Sequence, residues 1–85
     1  MKEIKYVLTD PMGIHARPAG QMVKMAGKYK CDIQIGSPAK MANAKRIIAV
    51  MALALKQNDE VTMIFSGEDE EAAADVIGKF LKENF

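Results

Sequence analysis

The chain has 85 residues, with twelve Lys and Arg against eleven Asp and Glu, a formal net charge of +1. That length makes one small domain, 1–85, and the balance argues against a nucleic-acid binder, which carries a large basic excess. With 49% hydrophobic and 27% charged residues the composition is that of a folded chain. The longest apolar run, residues 47–55, falls well short of the roughly 20 residues that span a bilayer.

In chain order, Glu3 to Thr9 alternates as a strand, with Ile4, Tyr6 and Leu8 on one side. Its opening, Met1-Lys2-Glu3-Ile4-Lys5, is mixed in charge and unlike a secretory leader. Asp10-Pro11-Met12-Gly13 is a turn. From Ala16 the period changes: Ala19, Met22, Val23 and Ala26 lie on one helical face. Pro18 suits only the first turn of that helix, and Gly27 marks its end. Cys31 to Ile35 alternates again, Gly36-Ser37-Pro38 turns the chain, and Lys40 to Asn43 is a short return strand. The Ala, Met and Leu content of Ile47 to Leu55 favours a short helix.

Gln57-Asn58-Asp59 is a turn, Val61 to Ser66 a strand, and the acidic stretch from Ser66 to Glu71 opens a last helix. Ala73, Val76, Ile77, Phe80 and Leu81 form the apolar stripe expected for it. The order β-α-β-β-α-β-α predicts an α/β two-layer sandwich, helices on one face of a sheet whose other face is wet.

His15 is the only histidine, at the junction of the first turn and the first helix. A lone histidine there could simply lie on the surface or serve as a cap. Its surroundings favour chemistry instead. A helix start presents unpaired backbone N–H groups and partial positive charge, which suit phosphate. Arg17 adds a bidentate donor fork, and Gly13 leaves the ring approachable. An imidazole, with an ordinary pKa of about 6.5, can act as a neutral nucleophile at cellular pH. His15 can therefore accept a phosphoryl group whose oxygens are held by Arg17 and the backbone of Ala16 and Arg17.

No second histidine, cysteine cluster or nearby carboxylate pair supports a metal centre or a hydrolytic triad. No glycine-rich nucleotide loop is present either, so no cofactor is expected and the phosphoryl donor must be another protein. Cys31 is the only cysteine, which rules out an internal disulfide and makes a reducing, cytoplasmic setting the default.

Gly13-Ile14-His15-Ala16-Arg17-Pro18-Ala19 resembles the active-site signature of the HPr family, histidine phosphocarriers of the bacterial phosphoenolpyruvate-dependent sugar phosphotransferase system. Length, element order and the 45–55 segment extend the resemblance over the whole chain. It implies an open-faced β-sandwich of four antiparallel strands with three helices. It also implies that Nδ1 of His15 takes phosphate from phosphorylated enzyme I and passes it to sugar-specific IIA domains, Arg17 positioning the phosphate. Such a chain is a cytoplasmic, monomeric carrier without independent turnover, not inserted in a membrane.

The implied partner surface comprises Ala16, Arg17, Gly20, Lys24, Arg46, Ile47, Ala49, Met51 and Ala52. Physically, Ile47, Ile48, Val50, Met51, Leu53 and Leu55 are too many apolar residues for one short helix to bury, and an exposed remainder beside a charged site suits an interface.

Arg46 departs from the family pattern. Many members carry a serine there, which a dedicated kinase phosphorylates in low-GC Gram-positive relatives to control carbon catabolite repression. Arginine cannot be so modified and is a poor N-cap, so this switch is expected to be missing. Met12 and Pro38-Ala39 also depart, the latter replacing an Asn-Gly-like turn. The rival reading is an HPr-like regulatory module that docks on target proteins without supporting sugar flux; an autonomous hydrolase lacks a second catalytic group.

Charge is divided along the chain. Residues 1–56 hold ten Lys/Arg and three Asp/Glu (+7), and residues 57–85 hold two and eight (−6). The positive part contains His15, Arg17, Lys24 and Arg46, where acidic partners and phosphate are expected.

Overall fold

Strands β1 (Lys2–Val7), β2 (Asp32–Ser37), β3 (Lys40–Asn43) and β4 (Glu60–Ser66) form one antiparallel sheet in the order β1-β4-β2-β3. This is seen in a computed structural model that describes all of residues 1–85. Helices α1 (Ala16–Ala26), α2 (Ile47–Met51) and α3 (Glu70–Asn84) pack on one face, in the expected α/β open-faced sandwich.

Alternation decides which side of each strand meets the helices. One cross-strand row runs Ile4, Met63, Ile35, Ala42, and Phe65 pairs with Ile33 two residues along. Met63, Ile35, Phe65 and Ile33 share one buried core with Ala19, Met22 and Ala26 of α1 and Ala73, Ile77 and Leu81 of α3, and Ile4 packs against it. Each large side chain removed from water contributes about 1.5–3 kcal/mol, before the cost of ordering it. On the opposite face Glu3, Lys5, Asp32 and Gln34 are exposed, as expected. Thr62 is the exception: it is 4% exposed, and its Oγ1 has no hydrogen-bond partner.

Four local readings need correction. The first strand ends at Val7, because Leu8 leaves the ladder to exchange backbone hydrogen bonds with Asn58 and Asp59. Helix α2 stops at Met51 instead of running to Leu55. The chain turns there, with Leu53 N–H donating to the Val50 carbonyl and Ala54 taking φ +53°. Val76 is 45% exposed, so Ala74 and Gly78 replace it on the buried stripe of α3. The β2–β3 hairpin turns at Pro38-Ala39 and not over Gly36-Ser37-Pro38, since β2 runs past Ile35 to Ser37, which pairs with Lys40. A side chain at Gly36 would strike the Lys40 carbonyl oxygen, so glycine is required there for the strands to close.

Candidate functional site

The loop between β1 and α1 places His15 at the helix start. Gly13 makes this possible: it takes φ +63°, and any Cβ there would collide with the Leu55 carbonyl oxygen. The backbone passes so close because Ile14 N–H donates to that same Leu55 oxygen at 3.1 Å. The irregular segment after α2 thus forms a wall for the site loop, reinforced by Gln57 Nε2 donating to the Thr9 carbonyl at 3.1 Å.

His15 is the N-cap of α1. Its carbonyl accepts Ala19 N–H at 3.0 Å, but its side chain makes no capping hydrogen bond. Pro18 has no N–H, so the free donors at this helix end are those of Ala16 and Arg17. No acidic residue occupies the first turn of α1 to compete for an incoming anion. The Arg17 side chain is exposed and makes no salt bridge within the chain, which leaves its guanidinium available.

The imidazole is part-buried and held on two sides. Its Nε2 lies 3.4 Å from Asp10 Oδ2, and the Phe85 ring meets it edge-on, with centroids 6.1 Å apart at 77°. Phe85 is fixed from the other end of the chain, its main-chain oxygen accepting the N–H groups of Thr9 and Asp10. Sequence reasoning missed both Asp10 and Phe85. The signal for Asp10 was an aspartate opening a Pro-Met-Gly turn, where a carboxylate binds its own backbone two residues on; Oδ1 does so, accepting Met12 N–H at 2.8 Å. Nothing in the local sequence points to Phe85, which reaches the site through the packing of α3.

Around this centre the structure sorts the apolar residues of the second helix. Val50 is buried, and Leu53 and Leu55 lean on the core. Ile47, Ile48 and Met51 are left exposed, Ile48 at 81%. Val23, Arg46, Ile47, Ala49 and Ala52 help line a shallow, mostly apolar groove of about 600 Å³ between α1 and α2. Met12 extends the apolar surface on the His15 side, 70% exposed. Ala16, Arg17 and Lys24 lie exposed on α1; Gly20 is half-buried with open space above its Cα. Ile48, absent from the residues the resemblance implies, is as exposed as Met1 and more exposed than any other large apolar residue. Arg46 caps α2 without any side-chain hydrogen bond, as its poor capping chemistry predicts. Lys45 is not free: its Nζ donates to the Tyr29 carbonyl at 2.8 Å.

Residues 2–83 match the family model described as "PTS HPr component phosphorylation site". The chain belongs to the HPr phosphocarrier family. Phosphocarrier protein HPr of Lysinibacillus sphaericus is 42% identical over 98% of this chain and 94% of the relative. Among solved structures, the histidine-containing phosphocarrier protein of Mycoplasma superposes with a TM-score of 0.92 at 34% identity, over 96% of this chain and 93% of that one. The Bacillus subtilis catabolite repression protein Crh, described as a domain-swapped, intertwined dimer, superposes at 0.77 with 34% identity, over 98% and 95%. The HPr fold thus accounts for the sheet order, and no helix of the chain is long and apolar enough to cross a membrane.

Proposed function

We propose that this HPr-family chain carries a phosphoryl group on Nδ1 of His15, received from phosphorylated enzyme I and passed to sugar-specific IIA domains. The observation that carries this reading is the setting of His15: a part-exposed imidazole at a helix start whose free donors are the Ala16 and Arg17 N–H groups. The Arg17 guanidinium supplies the remaining positive charge for the phosphate oxygens. The chain turns nothing over by itself; it works in the cytoplasm as a monomeric relay between two proteins.

The exposed face of α1 and α2 is the docking surface in this reading, with Ala16, Gly20, Lys24, Arg46, Ile47, Ala49, Met51 and Ala52 in contact with partners. Its mixture of exposed apolar side chains and basic residues suits an acidic-rimmed partner. Arg46 removes the hydroxyl that a serine kinase would need, so the carrier lacks the seryl switch at this position.

A relay assay tests this. Label from phosphoenolpyruvate should pass through enzyme I to the chain and then into an added IIA domain. A chain that takes label but passes none to any IIA domain would instead be a regulatory module, the reading favoured by its likeness to Crh.

A further inference from the structure

Three of the four polar atoms of Asp10 are held by backbone partners. Its N–H donates to the Phe85 main-chain oxygen at 2.9 Å, and its carbonyl accepts Gly13 N–H at 2.8 Å. Its Oδ1 accepts Met12 N–H at 2.8 Å. One polar atom remains, Oδ2, and it faces Nε2 of His15 at 3.4 Å. The turn therefore aims a single carboxylate oxygen at one chosen nitrogen of the ring, and the edge of Phe85 limits how the ring can rotate away.

A carboxylate accepts hydrogen bonds and cannot donate them, so it favours the tautomer with the proton on the nitrogen it faces. In a neutral imidazole the other nitrogen then holds the lone pair. Nδ1, which makes no capping hydrogen bond, is that nitrogen.

We propose that Asp10 is a positioning residue that keeps the proton on Nε2 of His15 and so makes Nδ1 the nucleophile. The inference rests on the phosphocarrier reading above. In the first step the Nδ1 lone pair forms the new N–P bond while the donor's bond to phosphorus breaks, its electron pair leaving with the donor. The phosphorylated ring, still protonated on Nε2, is cationic and faces the Asp10 carboxylate. In the second step an acceptor lone pair takes the phosphorus, and the N–P electrons return to Nδ1. The ring then leaves as neutral imidazole, with its Nε2 proton in place. No proton moves in either direction, so the carrier needs no separate acid or base.

The test reads the tautomer directly. Long-range ¹H–¹⁵N spectra of the labelled full chain at about pH 8, where imidazoles are neutral, should show His15 protonated on Nε2. Asp10→Asn retains an oxygen for Met12 N–H and turns an NH₂ donor toward Nε2. It should shift the population toward the Nδ1-protonated form and slow phosphoryl acceptance from enzyme I about tenfold. Asp10→Ser, which keeps a turn-forming oxygen but cannot reach the ring, should lose the preference without reversing it and slow less. A wild-type ring protonated on Nδ1 overturns the proposal. So does an Asp10→Asn variant whose rate falls with no change in tautomer, or whose tautomer changes with no change in rate. Because the tautomer is read without any donor, a chain that cannot be phosphorylated at all would defeat the carrier reading in a separate measurement.

Discussion

The Asp69 carboxylate accepts the backbone N–H of Cys31 at 2.8 Å across 38 residues of sequence, with Oδ1; its other oxygen takes Lys30 N–H at the same distance. One side chain at the entrance to α3 thus ties down the turn that leads from α1 into β2. The bond to Lys30 N–H, joined by those from Cys31, holds the Asp69 carboxyl below its ordinary value of 3.8.

A carboxyl lowered by folding stabilises the folded state when ionised. Its contribution is present above pH 3.8 and is lost as pH falls through the lower folded-state value. Asp69→Ala should therefore melt below wild type at neutral pH, and the gap should close as both are acidified. Thermal melts at a series of pH values check this; a gap that persists unchanged in acid would contradict it.

Cys31, 2% exposed, has its thiol pushed up to about 11, first by burial and then by the Asp69 carboxylate. The folded state thus favours the neutral thiol, a preference that helps stability below pH 9.0 and is lost as pH rises toward 11. Alkylation by iodoacetamide near neutrality should be far slower in the native chain than in denaturant, and melting should fall once pH passes 9.0. Equal alkylation rates with and without denaturant would refute the buried placement.

Gly13→Ala should cost at least about 2 kcal/mol, combining the left-handed backbone with the collision against Leu55. It should also slow phosphoryl acceptance, since relieving the collision moves the turn that carries Asp10 and His15. Denaturant melts and the transfer assay read the two effects; a variant as stable as wild type would contradict the close approach.

Gly20 behaves oppositely. A Cβ there meets nothing within 4 Å, so Gly20→Ala should stabilise α1 by roughly 0.5–1 kcal/mol and raise Tm by about 2–8 °C. If partners use the vacant space, the same variant accepts phosphate more slowly while melting higher. That opposite movement of stability and rate is the expected result, read by calorimetry and single-turnover labelling.

How far the sequence was readable depends on the range of the interactions. The Lys40–Asn43 strand and the Ala16 helix start were legible because alternation, Pro18 and Gly27 are local signals. The placing of His15 and Arg17 at a helix start was legible because the glycine turn and Pro18 that mark it are local too. The early end of α2 was not: Ala52 to Leu55 has good helix formers, and only tertiary fit turns Ala54 to positive φ so that the Leu55 carbonyl can meet the site loop. Strand order followed from no local pattern, since every strand alternates in the same way. Asp10 and Phe85 show the limit most clearly, as both reach His15 through contacts that only the assembled fold creates.

His15 is the proposed phosphoryl acceptor, and intact mass with site mapping under non-acidic conditions reads its modification. After incubation with phosphoenolpyruvate, magnesium and enzyme I, wild type should gain one acid-labile phosphoryl group on His15, His15→Ala none, and Arg17→Ala the same group more slowly. An unlabelled wild type, or equal labelling of His15→Ala, would rule out His15 as the acceptor.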